Sequence, residues 1–190
     1  ILVTHIHTLL VKLSAFNKYN IKTIFVFDGE PNKLKNKILE KRKKEYNERL
    51  EIYNKLSPED KKKFSYRVTA VTYKQIRQCK KILKFCGISY INSREEADSQ
   101  CVYLLNKNYG DAIVSDDTDI LVFGGTILLK NFTVDSKKYF EEIKLAKFLK
   151  GADLDKYKLI DLAILLGCDY CDDIKMGTIT AFKNIIKYGN

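Results

Sequence analysis

Acidic side chains concentrate in one stretch of this sequence, residues 111–125, which reads DAIVSDDTDILVFGG. The short apolar run at residues 112–114 predicts a buried strand, and Asp116, Asp117 and Asp119 follow it directly. In open α/β sheets, ligands bind where strands end at their carboxyl side. Carboxylates crowded at such an edge repel one another unless a cation lies between them. The stretch therefore indicates a divalent metal site, although an ordinary turn also uses Asp and Gly.

Charge is distributed unevenly along the chain. Residues 95–119 carry seven acidic residues and one lysine, a net charge of −6, within a chain of net charge +10. The remainder therefore carries about +16. An acidic pocket in a basic surround suits metal ions that act on a polyanion, because the metals neutralise the pocket while the surround holds backbone phosphates. This contrast predicts a nucleic-acid partner.

The most basic stretch is residues 33–67, which contain thirteen lysine or arginine residues. Ser57 and Pro58 predict that a second helix begins within it. Such a run is most often a solvated helix face. The interspersed tyrosine and phenylalanine side chains favour contact with bases or sugars as well as phosphates. We expect a helical insertion that projects from the sheet and holds a nucleic-acid strand over the acids.

Size and cysteine usage limit the remaining possibilities. The 190 residues, 45% of them hydrophobic, suffice for one globular domain or for a core with an insertion. No apolar run reaches the roughly 18 residues of a membrane-spanning helix. Five cysteines, an odd number, favour thiols in a reducing compartment. Cys168 and Cys171 form a C-x-x-C pattern with a zinc or redox alternative, but no second cysteine or histidine pair stands at ligand spacing.

Hydrophobic periodicity predicts the elements that position the acids. Strands are predicted at residues 22–27, 88–91, 112–114 and 126–130, and helices at residues 4–19, 69–85, 142–149, 154–166 and 178–188. Asp28 and Gly29, after the first strand, could form a hairpin, but the residues beyond Pro31 are basic and helix-forming. We therefore expect Asp28 at the carboxyl end of a core strand.

Three further acids lie near predicted helix ends. Ser93 with Glu96 fits a capping box at a helix start. Glu96 and Asp98 cannot share a face of a regular helix, but at its first turn both can reach one cavity. Asp169 stands just past a long apolar helix. The glycine-bearing turn at residues 172–178 is either a phosphate-binding helix-turn-helix element or a plain helical hairpin.

Four sequence blocks resemble, in order and separation, the signatures of the flap endonuclease family of XPG/Rad2-type structure-specific 5′ nucleases. The blocks are FVFDGEP, EEADSQC, SDDTDILVFG and ILLGCDYC. The resemblance covers nearly the whole chain and is strongest to flap endonucleases themselves. It implies an α/β fold with a PIN-like three-layer core, a central mostly parallel sheet, a helical arch insertion and a C-terminal helix-two-turn-helix module. The implied division is a nuclease core at residues 1–150, with the basic arch at about 33–67, and a helix-two-turn-helix part at residues 151–190.

The resemblance also implies roles for individual residues. The metal-binding acids would be Asp28, Glu96, Asp98, Asp117, Asp119 and Asp169. The catalytic cations at the foot of the arch would be Lys35 and Arg42. The DNA-binding residues would be Lys41, Lys43, Lys44, Gly177 and Thr178. Asp98 stands where the family usually has Glu, so its reach is one methylene shorter.

Parts of the family pattern are expected outside this sequence or differ within it. The first metal-binding Asp and a DNA-contacting segment are expected upstream of Ile1, and the segment that holds the sliding clamp beyond Asn190. The turn Lys175-Met176-Gly177-Thr178 is one residue short of the family's. We therefore expect an N-terminally truncated core from an AT-rich viral or protist genome. Its expected location is intracellular: the nucleus of a cellular eukaryote, or the cytoplasmic factory or virion of a virus.

The implied activity is hydrolysis of DNA phosphodiesters at single-strand/double-strand junctions in replication and repair. The enzyme would be a flap endonuclease or 5′-3′ exonuclease that uses two Mg²⁺ ions, with Mn²⁺ as a substitute. Its partner would be DNA with a 5′ flap or a junction, and no membrane. The alternative is a non-catalytic nucleic-acid-binding module that retains the fold, favoured by the missing first Asp and the altered turn. A processive 5′ exonuclease or a junction resolvase is a further alternative.

Overall fold

The structure is a computed structural model that describes residues 4–68, 70–133, 139–171, 174 and 176–189. Five short strands and nine α-helices lie within these ranges. The strands are β1 (Ile24–Phe27), β2 (Ser89–Asn92), β3 (Ile113–Val114), β4 (Ile127–Lys130) and β5 (Glu141–Lys144). The helices are α1 (Thr4–Lys18), α2 (Asn36–Lys55), α3 (Pro58–Phe64), α4 (Tyr73–Phe85), α5 (Ala97–Asn106), α6 (Asp119–Val122), α7 (Leu145–Ala152), α8 (Lys156–Leu166) and α9 (Thr178–Tyr188).

Strand pairing within these ranges is mostly parallel, as predicted, and forms two small sheets. β1 and β2 run parallel with Phe27 opposite Asn92. β3 pairs parallel with β4, and β5 adds to β4 in antiparallel orientation. The parallel partner of β1 excludes a hairpin at Asp28 and Gly29. Since parallel strands end at a common edge, the loops that follow β1 and β2 leave from the same side.

Two apolar clusters fix these strands and their helices. The first holds β3 and β4 against α5, α6 and α8, and its fully buried members are Ile120 and Leu128. The second joins α1 to α4 around Leu83, and Phe25 and Phe27 of β1 pack against it. β1 is only partly buried, since Ile24 is exposed. The acids therefore extend from elements that are each anchored in an apolar core.

Three local predictions need correction. Residues 141–144 form β5 rather than the start of a helix, because Ile143 packs on the first cluster while the backbone pairs with β4. α4 begins at Tyr73, where Thr72 and Gln75 form a capping box, and the predicted start at residue 69 lies outside the described residues. The predicted capping box at Ser93 is wrong, because Glu96 is the N-cap residue of α5 and the Ser93 hydroxyl lies 2.8 Å from each of the carbonyl oxygens of Phe27 and Glu95 instead.

Residues 33–67 form the predicted helical insertion. It begins with a 3-10 turn, Lys33–Lys35, and continues into the 20-residue helix α2, which has no buried residue. Ser57 caps α3 by accepting a hydrogen bond from the Asp60 amide. Tyr46 of α2 donates its hydroxyl to the Val68 carbonyl oxygen at 3.1 Å. The insertion therefore packs mainly on itself, and the middle of α2 is tied to the 3-10 turn Ser65–Val68 that follows α3.

The C-terminal elements α8 and α9 pack against each other. Asp172, Asp173 and Lys175 of the predicted turn between them lie outside the described residues. The division at residue 150 stays a prediction. No helix in the part of the chain that the structure describes combines the length and apolarity needed to cross a membrane.

Candidate active site

Asp28 is held at the end of β1 by the loop that follows β2. The Gly29 amide donates to the Glu95 carbonyl oxygen at 2.6 Å. A Cβ atom on Gly29 would lie 2.2 Å from the Ser93 carbonyl oxygen, so only glycine permits this approach. Asp28 Oδ1 accepts a hydrogen bond from the Ala97 amide at 2.9 Å and thereby caps α5. This cap brings the β1 carboxylate beside the acids of α5.

The acids around the first turn of α5 repel one another. Asp98, in the first turn of α5, is partly buried. Burial, followed by the charges of Asp117 and Asp28, raises the pKa of Asp98 from 3.8 to about 6. Burial and the charge of Asp117 likewise raise the pKa of Asp119. The acids after β1, at α5 and after β3 therefore form one electrostatic unit.

The loop after β3 separates its aspartates into two groups. Asp117 Oδ1 accepts from the Asp119 amide at 2.9 Å, which orders the entry into α6. Asp116 instead accepts from the Asn131 amide at 2.8 Å and lines a cavity of about 730 Å³ with Lys12 and Tyr139. None of the six predicted metal-binding acids lines that cavity. Asp116 is therefore not part of the acidic unit.

Lys35 is the cation that contacts two of these acids. Its Nζ lies 2.8 Å from Glu96 Oε1 and 3.1 Å from Asp169 Oδ2. Burial lowers the pKa of Lys35, but hydrogen bonds with Glu96 and Asp169 outweigh burial and raise it overall. Lys35 therefore remains charged and connects the base of the helical insertion to α5 and to the loop after α8.

Arg42 and Tyr170 also contact Asp169 and Glu96, respectively. Arg42 Nη2 donates to Asp169 Oδ1 at 2.6 Å, and the Tyr170 hydroxyl donates to Glu96 Oε2 at 2.6 Å. The Lys35 Nζ lies 4.8 Å from the Tyr170 ring centroid. Sequence reasoning did not identify Tyr170 as a site residue, and its only signal was its place beside Asp169 in the ILLGCDYC block.

The structure thus connects all six predicted metal-binding acids with Lys35 and Arg42. The predicted DNA-binding lysines are exposed on α2, and Gly177 and Thr178 are exposed at the start of α9. Among the described residues, no hydrogen bond or ion pair joins either group to the acids. We call the eight connected residues the acidic site: Asp28, Lys35, Arg42, Glu96, Asp98, Asp117, Asp119 and Asp169.

The acidic site fits a divalent cation in its chemistry. Its ligand atoms are all carboxylate oxygens, which suit Mg²⁺ and Mn²⁺. Glu96 Oε1 is buried, and its partner among the described residues is the Lys35 ammonium at 2.8 Å. A carboxylate oxygen can accept from more than one side, so a bound cation could share Glu96 with Lys35. Across the described ranges no three acidic, histidine or cysteine side chains already surround one metal-sized space.

Asp98→Asn is expected to stabilise the metal-free protein at pH 7.5. Because folding raises the pKa of Asp98, its charge opposes folding above about pH 6, and this cost disappears below about pH 4. The rise from 3.8 to about 6 corresponds to about 3 kcal/mol, which solvent screening of a partly exposed group reduces to about 1 kcal/mol. Urea unfolding of both proteins at pH 7.5 and pH 4 measures the difference.

The matched control is Asp116→Asn, which removes a neighbouring charge outside the acidic site. This variant should unfold like the parent protein at pH 7.5. Mg²⁺ should stabilise the parent more than Asp98→Asn, because the ion relieves the repulsion that the substitution has already removed. A loss of metal-free stability in Asp98→Asn at pH 7.5 would contradict the proposed repulsion.

Comparison with known proteins assigns the family. The XPG N-terminal domain model matches residues 2–49, and the XPG I-region model matches residues 87–169. Flap endonuclease 1 of Theileria parva is 40% identical over 192 residues, which cover 98% of this chain and 39% of the relative. Flap endonuclease 1 of Aspergillus terreus is 42% identical over 177 residues, which cover 90% of this chain and 45% of the relative. The chain therefore spans less than half the length of these relatives.

A solved structure gives the same result for the fold. The catalytic core of Rad2 in complex with DNA substrate matches with a TM-score of 0.78 at 32% identity, covering 98% of this chain and 54% of that chain. This likeness confirms the predicted α/β fold with a PIN-like core. The two matched family regions contain all eight residues of the acidic site. The chain belongs to the XPG/Rad2-type flap endonuclease family.

Proposed function

We propose that this chain is the core of a structure-specific 5′ nuclease that hydrolyses DNA phosphodiesters at single-strand/double-strand junctions. The observation that supports this most is the acidic site itself. Its carboxylates come from the ends of β1 and β3, the start of α5 and the loop after α8, and they meet Lys35 and Arg42 at the base of a basic helical insertion. The flap endonuclease 1 relatives and the DNA-bound Rad2 core support the same function.

The family is metal-dependent. We infer that the six carboxylates would hold two ions, either Mg²⁺ or Mn²⁺. Bound there, such ions would lower the pKa of water and neutralise charge on the phosphate. The residues of the chain supply the rest of the chemistry. Lys35 and Arg42 orient the scissile phosphate and stabilise the charge that builds on it.

Lys35 and Arg42 can perform this role because they already lie against the acids. Both pair with Asp169, at 3.1 Å from Lys35 Nζ and 2.6 Å from Arg42 Nη2. A phosphate that enters beside Asp169 would offer the same kind of oxygen acceptor to both cations. Arg42 is largely exposed, so it can exchange partners at little cost in desolvation.

The DNA backbone would be held by two further surfaces. One is the exposed basic face of α2, with Lys41, Lys43 and Lys44. The other is the start of α9, where the N-cap residue is Gly177. Glycine has no side chain that could accept hydrogen bonds from the first backbone amides of the helix. Those amides, with Thr178, suit a phosphate. Such contacts predict a binding affinity that falls steeply with salt concentration.

The decisive experiment is cleavage of an end-labelled 5′-flap duplex with Mg²⁺, using this chain and a version extended upstream through the expected first strand. Cleavage at the junction by the extended version supports the proposal. Tight binding without cleavage by both versions would overturn it and favour a non-catalytic DNA-binding module. One observation favours that second candidate: Lys35 and Arg42 already pair with two of the six acids, Glu96 and Asp169.

Substrate preference and context extend this proposal. A 5′ flap or junction is the proposed substrate, while DNA replication and repair are the proposed processes. The sliding-clamp contact and the intracellular, nuclear location stay predictions.

Tyr170→Phe is expected to slow cleavage about 10- to 100-fold, because it removes a hydrogen bond to a charged group worth about 1.5–3 kcal/mol. The ring remains, so its edge contact with Phe123, 6.5 Å between centroids, is kept. The control is Tyr73→Phe, which removes an exposed hydroxyl. Single-turnover cleavage measures the effect.

A double-mutant cycle with Glu96→Gln tests whether Tyr170 acts by positioning Glu96. The two effects should be less than additive, because each substitution disrupts the same hydrogen bond. Fully additive losses, or a rate for Tyr170→Phe equal to that of the parent protein, would contradict this role.

A further inference from the structure

The C-x-x-C pair lies next to the acidic site, yet the proposed chemistry does not use it. Cys168 and Cys171 are both reduced, with their Sγ atoms 3.4 Å apart. We propose that these two thiols form a reversible disulfide that repositions Asp169 and Tyr170. The effect of this disulfide on metal binding rests on the proposed function, whereas its formation does not.

Backbone geometry already favours the bond. The Cys171 amide donates to the Cys168 carbonyl oxygen at 3.3 Å, and the two residues form an isolated antiparallel bridge. A four-residue turn of this kind keeps its terminal Cα atoms within about 7 Å, and disulfides span about 4.4–6.8 Å between Cα atoms. The sulfur atoms need only approach from 3.4 Å to about 2.05 Å. Closure therefore requires an adjustment within one turn.

Access also favours oxidation of this pair. Cys171 is exposed and Cys168 is partly buried, so a dissolved disulfide can reach the turn. With oxidised glutathione, the Cys171 sulfur bonds to one glutathione sulfur and releases the first glutathione. The Cys168 sulfur then attacks the Cys171 sulfur and releases the second. Two thiols are oxidised to one disulfide, one oxidised glutathione is reduced to two glutathione molecules, and the two thiol protons leave with them.

The two residues between the cysteines transmit the change. Asp169 contacts Lys35 and Arg42, and Tyr170 contacts Glu96 through its hydroxyl. A disulfide draws the ends of the turn together and shifts both central residues. The hydrogen bonds from Arg42 to Asp169 and from Tyr170 to Glu96, each 2.6 Å long, are then strained or broken. Oxidation is therefore expected to weaken the hold of the turn on the acidic site.

Disulfide formation is tested on the whole chain in buffers from reduced to oxidised glutathione. Thiols are trapped by alkylation, and the peptide with residues 168–171 is weighed by mass spectrometry. We expect a loss of two hydrogens that Cys168→Ser and Cys171→Ser each abolish. Cys86→Ser, which removes an exposed cysteine elsewhere, should leave it unchanged. Mixed glutathione adducts alone, with no internal bond, would overturn the proposal.

Coupling to the site is tested with fluorotyrosine labelling and ¹⁹F NMR. The Tyr170 resonance is the one that is absent in Tyr170→Phe, and it should shift when the protein is oxidised. The affinity for Mn²⁺, measured by EPR, should fall about tenfold or more on oxidation. An unchanged Tyr170 resonance would overturn the coupling. A shifted resonance without Mn²⁺ binding in either redox state would support the switch and overturn the proposed metal site. The double variant Cys168→Ser/Cys171→Ser should respond to oxidant in neither measurement.

Discussion

Asp117→Asn is expected to abolish flap cleavage by the upstream-extended chain while leaving flap binding nearly intact. Asparagine can retain the acceptor for the Asp119 amide, now at 2.9 Å, so the loop keeps its shape while the charge is lost. A catalytic metal contributes several kcal/mol to the transition state, which makes a rate loss of at least about 10³-fold reasonable. Single-turnover cleavage and fluorescence anisotropy on the same flap duplex measure the two properties.

Asp116→Asn is the matched control, because Asp116 is the adjacent acid that contacts Asn131 instead of the acidic site. It should cleave at the parent rate. In Asp117→Asn the pKa of Asp98 should also fall toward its usual value, since Asp117 is the largest charge that raises it. Equal loss of binding and cleavage in Asp117→Asn would refute a metal-binding role and indicate damage to the loop.

Lys35→Ala is the second substitution with a large expected effect. Cleavage should slow about 10²- to 10³-fold, because a preorganised cation that stabilises charge on the phosphate is lost. The metal-free protein should also lose about 3 kcal/mol of stability, since Glu96 and Asp169 would then lack their shared, largely buried cation. Single-turnover kinetics and urea unfolding measure the two effects.

Unfolding and cleavage measured with added Mg²⁺ distinguish the contribution of Lys35 to stability from its contribution to catalysis. The ion should restore part of the lost stability, because it neutralises the same carboxylates, but it should not restore the rate. Lys33→Ala is the control, as Lys33 is exposed in the same 3-10 turn. A Lys35→Ala variant that cleaves within about threefold of the parent rate would remove Lys35 from the catalytic set.

The sequence by itself determined which residues could do chemistry and on which elements they lie. Asp28 and Asp117 were predicted at the carboxyl ends of strands, because short β-branched and aromatic runs lead to both and parallel strands expose acids at that edge. The helical insertion was predicted from its charge, from Ser57 and from Pro58. These signals are local, so they can be recognised without knowledge of the packing.

Only the tertiary structure decided how these elements meet. Three of residues 141–144 carry charged side chains, and the segment becomes β5 because Ile143 packs on the first cluster while the backbone pairs with the edge of β4. Asp28 caps α5 across 69 residues of sequence, and Tyr170 reaches Glu96 across 74. Such contacts depend on how the two apolar clusters place β1, α5 and α8 together. Local sequence does not encode that placement, because it arises from burial summed over residues that are distant in the chain.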